Sequence, residues 1–304
     1  MKVVLLSGGG GGARFARGLE DALPPGDLTI VGNVGDDLEI LGLHVSPDLD
    51  SLVYTLAGFI DEERGWGRSA ETWSVLASAG SWGGEDWFRL GDLDIGLHLV
   101  RTEMLRAGVP LSDVTAQLAE KAGVGSRILP ATNDRLRTHV HTAAGEFSFQ
   151  EWFVGRAHED EVDAVRYEGS EDAIPPPSLV ETLGGAAAIL IAPSNPYLSI
   201  GPILAVNEIR SALESRHARC VAVSPLVAGK AVSGPLDRML SRMAGGTTPA
   251  HVTRCYMGLI DALVIDETDA PAKADIELAV TQTLMSDRGA ARRLAERALE
   301  VACG

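Results

Sequence analysis

A short apolar run followed at once by five consecutive glycines leaves this chain few folds to choose from. Val3-Val4-Leu5-Leu6 has the pattern of a buried parallel strand, and Gly8 to Gly12 strip every side chain from the turn after it. Beyond the turn, Ala13, Phe15, Ala16, Leu19 and Leu23 recur at helical spacing beside Arg14, Arg17 and Glu20. Strand, bare turn and helix N-terminus together form an anion cradle, because unpaired N–H groups and the helix dipole point at one spot. A glycine tract by itself also suits a flexible or ordinary tight turn. Its place between a strand and a helix points instead to a phosphate or nucleotide loop.

The following segments keep the α/β rhythm. Leu28-Thr29-Ile30-Val31-Gly32-Asn33 is a second strand, ending in Val34-Gly35-Asp36-Asp37. Ligands of open parallel sheets sit outside the carboxyl ends of the strands, so this acidic loop is expected to face the glycine turn. Asp36 and Asp37 beside a phosphate cradle fit a magnesium-bridged nucleotide site, although aspartate equally suits a helix cap or a solvated turn. A second acidic turn, Ser46-Pro47-Asp48-Leu49-Asp50-Ser51, leads into a helix over Leu52 to Ala57, with Asp50 either its N-cap or a ligand. Two acidic turns in succession near one cradle favour chemistry.

Between Phe59 and Glu171 the character changes. Trp66, Trp73, Trp82 and Trp87 are interleaved with glycines, and helices are predicted over Ile95 to Ala107 and Ser112 to Ala122, the second capped by Ser112. The tryptophans could line a pocket for a planar ring, though core packing is their commoner fate. Arg89, beside Trp87 and Phe88, suits a phosphate or a ring face; otherwise it is a surface arginine. Thr138 to Thr142 and Glu146 to Gln150 form a hairpin, with His139 and His141 as polar strand residues rather than a zinc pair. Ile174-Pro175-Pro176-Pro177 is an extended link back to the α/β pattern.

Then come a helix over Leu179 to Leu183, the strand Ala187 to Ala192, the loop Pro193-Ser194-Asn195-Pro196, and a helix over Ile203 to Leu213. A repeat of that plan gives strand Cys220 to Val223, loop Ser224-Pro225 onward, and a helix from Leu236. A last strand, Ala262 to Asp266, precedes the closing helix Arg288 to Ala302, capped by Asp287. The expected architecture is α/β: one domain, 1–304, with a Rossmann-like parallel-sheet, three-layer core (1–58 and 172–304) and a mainly helical insertion carrying a small hairpin (59–171).

A formal charge of −16 argues against a nucleic-acid partner, which needs a basic face. No run has the apolar length of a membrane span, and the start lacks a signal-peptide layout. Cys220, Cys255 and Cys303 are far apart and odd in number, so a cytoplasmic protein without a disulfide framework is expected.

Taken together, Ser7-Gly8-Gly9…Gly11-Gly12-Ala13, Asn33…Gly35-Asp36-Asp37, Ser46-Pro47-Asp48-Leu49-Asp50, Gly65-Trp66-Gly67, Leu90-Gly91-Asp92, Phe149-Gln150-Glu151, Pro193-Ser194-Asn195-Pro196…Ser199-Ile200-Gly201-Pro202 and Val223-Ser224-Pro225 resemble the 2-phospho-L-lactate transferase family (CofD, or FbiA in actinobacteria) of coenzyme F-420 biosynthesis. Any one block is weak; the ordered set, from about residue 2 to residue 269, is specific. The resemblance implies transfer of a phospholactyl or phosphoenolpyruvyl group from a GDP-linked donor to the terminal ribityl hydroxyl of the deazaflavin Fo, with loss of GMP. It also implies Mg2+ and a homodimer. Gly10, Gly11, Gly12, Ser194, Asn195, Ser224 and Pro225 would then hold the nucleotide, Asp36, Asp37 and Asp50 the metal, and Asp50 and Arg89 the Fo, with Asp36 and Asp50 as the catalytic pair. Where the family usually reads Leu-Gly-Asp-Arg-Asp, this chain has Leu93, which removes a positive charge near the phosphates. Two competing readings are a CofD-like UDP-sugar-binding regulator without transfer activity and an ordinary Rossmann dehydrogenase. The second has no place for the Ser46 to Ser51 or Ser194-Asn195 segments.

Overall fold

All 304 residues are described by the structure, a computed structural model. Seven parallel strands form the central sheet in the order Glu277–Thr281, Ala262–Asp266, Arg219–Val223, Ala188–Ile191, Val3–Ser7, Leu28–Gly32, Arg127–Pro130. Pairing is in register from Val3 to both Leu28 and Ala188, which puts the first strand inside the sheet, next to its middle strand Ala188–Ile191. The central strands are apolar and buried at nearly every residue, as strands covered on both faces must be.

Helix Gly9–Ala22 packs between Pro47–Ala57 and Arg288–Cys303 on one face. Leu179–Gly184 and Asn207–Glu214 pack on each other, and the rule that parallel-strand crossovers are right-handed assigns them to the opposite face. Gly18 lets the first and last helices touch: a Cβ there would lie inside the contact radius of the Ala291 carbonyl. The expected cap of the last helix is present, Asp287 Oδ1 accepting from Ala290 N at 2.8 Å.

Several elements differ from expectation. The sheet extends at both edges. Arg127–Pro130 joins it from within the segment 59–171, so that segment is not purely an insertion. The hairpin Arg137–Thr142 and Gly145–Ser148 gains a third strand, Val162–Glu168. A small hairpin, Leu38–Ile40 with Leu43–Val45, follows the Asp36-Asp37 turn. The helix expected over Ile203 to Leu213 is broken into Gly201–Leu204 and Asn207–Glu214. Ser112 lies inside helix Leu111–Lys121 rather than capping it; its N–H donates to Asn133 Oδ1 at 2.8 Å.

Strand order reverses between Val3–Ser7 and Ala188–Ile191, and at such a switch point the loops diverge to leave a crevice at the carboxyl edge. Two small apolar clusters stand around it. One joins Ile40, Leu43 and Val45 to Leu90 and Ile95; the other joins Val140, Trp152 and Val162 to Leu198 and Met239. They anchor segment 59–171 beside the crevice.

Candidate active site

The crevice is a cavity of about 630 Å3, within the range of small-molecule sites. The glycine turn forms one end. Helix Gly9–Ala22 begins earlier than the glycine run implied, so only Gly8 and Gly9 form the turn, and Gly9 has φ 69°. Poor helix formers start a helix here because Asp48 Oδ1 accepts the Gly9 N–H at 2.7 Å and holds the first turn. The N–H groups of a first turn lack intrahelical acceptors, and Gly10 and Gly11 line the cavity. Gly8 must be bare: a Cβ would stand 2.6 Å from Asp48 Oδ2 and 2.8 Å from Ser199 Cβ. Gly12 does not line the cavity. It sits one turn deeper, where any side chain would strike the Ser7 and Ser194 hydroxyls.

The later loops arrive as neighbours. Ser194 Oγ donates to the Gly8 carbonyl at 2.6 Å, tying the fourth strand's loop to the glycine turn. Asn195 Oδ1 accepts from Tyr197 N at 2.9 Å and Leu198 N at 3.2 Å, capping the wide helical turn Pro196–Ile200. Ser224 Oγ accepts from Leu226 N at 3.2 Å. Ser194, Asn195, Ser224 and Pro225 all line the cavity.

The acidic turns divide their labour differently from the expectation. Asp36 lines the cavity, but Asp37 lies behind it, accepting from Ser46 Oγ at 2.9 Å and standing 3.1 Å from His44 Nε2. Asp36's partner is Asp48. The buried Asn33 amide reaches Asp48 Oδ2 at 2.9 Å and Asp36 Oδ1 at 3.3 Å, and both carboxylates line the cavity. Burial, then Asp48 and Asp37, push Asp36 well above the usual carboxylate range. Burial lifts Asp48 to about 6, against the pull of the Asn33 and Gly9 hydrogen bonds. Two crowded carboxylates short of positive charge, beside a helix N-terminus that favours phosphate, suit Mg2+. That ion takes one or two carboxylates and completes its shell with phosphates and water. No group of three or more His, Cys, Asp or Glu side chains is placed to hold a metal by itself.

Asp50 is neither an N-cap nor a companion of Asp36. Helix Pro47–Ala57 has Ser46 as its N-cap, and Asp50 lies in its first turn. There it meets the buried Arg101 guanidinium in a two-pronged pair, Nη1 to Oδ2 at 3.0 Å and Nη2 to Oδ1. Arg101 Nη1 also donates to His98 Nδ1 at 3.1 Å, which leaves the His98 proton on Nε2; burial lowers His98 to about 4 and keeps it neutral. Asp50 and His98 line the cavity together with Tyr54 and Asp94.

Of the four interleaved tryptophans, Trp66 alone lines the cavity; Trp82 is 88 % exposed, and Trp87 packs edge-on against Phe88. Tyr54, Phe88, Phe149 and Phe153 add further aromatic rings. Trp73 is flanked by Arg64 at 5.2 Å and Arg89 at 4.8 Å, so Arg89 both stacks on a ring and faces the cavity. Leu93 is 44 % exposed and does not line the cavity, whose lining arginines are Arg14 and Arg89.

Asp48, Asn33, Arg101, Tyr54 and Asp94 were not singled out from sequence. One signal was available: Asp94, His98 and Arg101 recur at helical spacing on Asp92–Arg106 and are buried, while Leu93, Leu99 and Val100 of the same helix are exposed. A helix whose polar stripe faces inward has polar work to do.

Comparison with known proteins identifies the family and the fold. The sequence profile described as "2-phospho-L-lactate transferase CofD" matches residues 3–302. A Streptomyces griseus protein named phosphoenolpyruvate transferase is 43% identical over 99% of this chain and 98% of its own length. Relatives of the same name from Nocardia farcinica and Mycolicibacterium smegmatis are 40% and 39% identical, covering 99% of this chain and 95% and 99% of their own lengths. Two crystal structures of a UPF0052-family protein from Bacillus halodurans superpose with TM-scores of 0.64 and 0.67 over 98% of this chain and 99% of theirs; at 17% identity they show the shared fold. With a glycine-turn cradle and paired carboxylates at the sheet's switch point, and a family profile spanning nearly its whole length, this chain belongs to the 2-phospho-L-lactate transferase CofD family and is an enzyme that transfers a phosphate-containing group.

Proposed function

We propose that this enzyme transfers a phosphorylated three-carbon acid from a GDP-linked donor to the terminal ribityl hydroxyl of Fo, releasing GMP, in coenzyme F-420 biosynthesis. One observation carries the reading: a single cavity brings the phosphate cradle of Gly10 and Gly11 together with an aromatic and polar end built from Trp66, Arg89, Asp50 and Tyr54. The donor's acid is phosphoenolpyruvyl, in keeping with the name of the 43%-identical relative.

The chain's own groups then have distinct tasks. Backbone N–H groups at Gly10 and Gly11 receive phosphate oxygens, and the Ser194-Asn195 and Ser224-Pro225 loops frame the nucleoside. Asp36 and Asp48 would hold Mg2+, which supplies charge neutralisation across the phosphates. Asp50, held still by Arg101, and Arg89 engage the acceptor, whose planar ring suits the Trp66 end. Alignment of hydroxyl and phosphorus then provides most of the acceleration.

Titrating GDP, Fo, NAD and a UDP-sugar against tryptophan fluorescence tests this. GDP and Fo are expected to bind together, with Fo quenching Trp66. Tight UDP-sugar binding without Fo binding would refute the transferase reading, and NAD binding alone would favour a dehydrogenase.

A further inference from the structure

Four carboxylates line the cavity: Asp36, Asp48, Asp50 and Asp94. Three are engaged. Asp36 and Asp48 share the Asn33 amide beside the glycine turn, and Asp50 is gripped by Arg101. Asp94 has no cationic partner. Its Oδ2 accepts the Gly91 N–H at a long 3.4 Å, and its Oδ1 and the Tyr54 hydroxyl, both buried without another partner, face each other. A buried carboxylate with no cation and only a long backbone contact and a neutral hydroxyl beside it is costly, and such groups persist where function needs them.

Asp94 stands at the N3 position, where its long contact with the Gly91 N–H is a weak cap that the helix does not depend on. Glu71 already caps this helix by accepting from Leu93 N at 2.9 Å and Asp94 N at 3.0 Å. The turn Gly65-Trp66-Gly67 links Asp94 to the phosphate end. The Gly65 carbonyl lies 3.4 Å from where a Gly10 Cβ would be, and Asp94 Oδ2 lies 3.9 Å from where a Gly67 Cβ would be. Asp94 thus stands where the acceptor end of the cavity approaches the phosphates.

The geometry points to Asp94 as the general base of the transfer, taking the proton of the acceptor hydroxyl; the assignment rests on the transferase reading above. The hydroxyl oxygen attacks the phosphorus that carries the three-carbon acid, and its proton passes to the Asp94 carboxylate. The bond from that phosphorus to the bridging oxygen breaks, and GMP leaves with the electron pair. Asp94's surroundings suit the task. Burial raises it to about 6, with Glu71 and Asp50 pushing the same way and the Tyr54 hydroxyl opposing. Arg101 and His98 on the same helix are turned to Asp50, and His98 is neutral. A base with that value is ionised at neutral pH yet retains appetite for a proton.

The test compares wild type with Asp94→Asn and Asp94→Glu in pH profiles of kcat and of KM for Fo, with GDP affinity and melting temperature as checks on folding. The expected result is a fall in kcat of about 10²- to 10³-fold for Asp94→Asn with GDP binding and Fo KM little changed. The wild-type acid limb near pH 6 disappears, and Asp94→Glu recovers part of kcat with a shifted limb. Unchanged kcat and an unchanged acid limb in Asp94→Asn would overturn the assignment, as would a raised KM for Fo at constant kcat. Loss of kcat together with GDP binding in Asp94→Asn, without recovery in Asp94→Glu, would make Asp94 structural and overturn it too. Wild-type protein that forms no product from Fo would overturn the reaction itself and its base with it.

Discussion

Replacing Asp50 leaves Arg101 as a guanidinium about 2 % exposed whose main counter-charge is gone. Arginine cannot shed its proton to escape, so the cost falls near the upper part of the about 3–5 kcal/mol seen when one member of a buried pair is removed. With about 2.1 cal/mol/K of unfolding entropy per residue, 304 residues give roughly 0.64 kcal/mol/K, and a loss of about 4 kcal/mol lowers Tm by roughly 6 °C. Arg101→Met is expected to cost less, because Asp50 can neutralise itself by binding a proton. Joining Asp50→Leu to Arg101→Met removes both charges, and this double variant should return to within about 1 kcal/mol of wild type. Calorimetric melting and urea titration of the two singles and the double measure the coupling, expected to exceed about 2 kcal/mol. Additive losses, with coupling below about 0.5 kcal/mol, would refute the account of Asp50 as a carboxylate held by Arg101. Turnover gives a separate readout: the double variant should stay inactive despite its restored stability, because Asp50 also meets the acceptor.

Gly8→Ala should cost about 1–3 kcal/mol in urea denaturation and weaken GDP binding in Mg2+. Backbone strain plays no part, since Gly8 is extended at φ −155°, so the loss comes from the Cβ 2.6 Å from Asp48 Oδ2; a change within about 0.5 kcal/mol would contradict this. Asp48 binds its proton more tightly folded than unfolded, so its contribution to metal-free stability is fully present below the ordinary value near 3.8 and is lost as pH rises through about 6. Asp48→Asn should therefore gain on wild type between pH 5 and 7.5 in metal-free melting, and Mg2+ should raise the wild-type Tm more at pH 7.5 than at pH 5; a pH-independent difference would refute it. Gly18→Ala pushes a methyl into the Ala291 carbonyl and should lower stability by about 1–3 kcal/mol while leaving GDP and Fo affinities unchanged, as calorimetry would show.

The core was legible because strands covered on both faces read as plain apolar runs. Val3–Ser7 and Ala262–Asp266 are of that kind. The edge strands Arg127–Pro130 and Glu277–Thr281 escaped notice because they carry exposed polar residues and one is only half buried. The start of the first helix was hidden by glycine's low helix propensity, which the Asp48–Gly9 hydrogen bond overrides from 39 residues away. Asp50 and Arg101 are 51 residues apart, and no local pattern announces their pairing. Neighbouring acids looked alike along the chain, yet in space Asp36 faces the cavity and Asp37 turns to Ser46 and His44. A one-residue step at the end of a strand decided which of the two can meet a ligand.

The most direct measurement is mass spectrometry after incubating the enzyme with Fo, Mg2+ and, in separate reactions, the phosphoenolpyruvyl and phospholactyl GDP-linked donors. The account predicts a phosphodiester of Fo and an equal amount of GMP, formed fastest from the phosphoenolpyruvyl donor. Unchanged Fo with either donor, in protein that binds GDP, would contradict it.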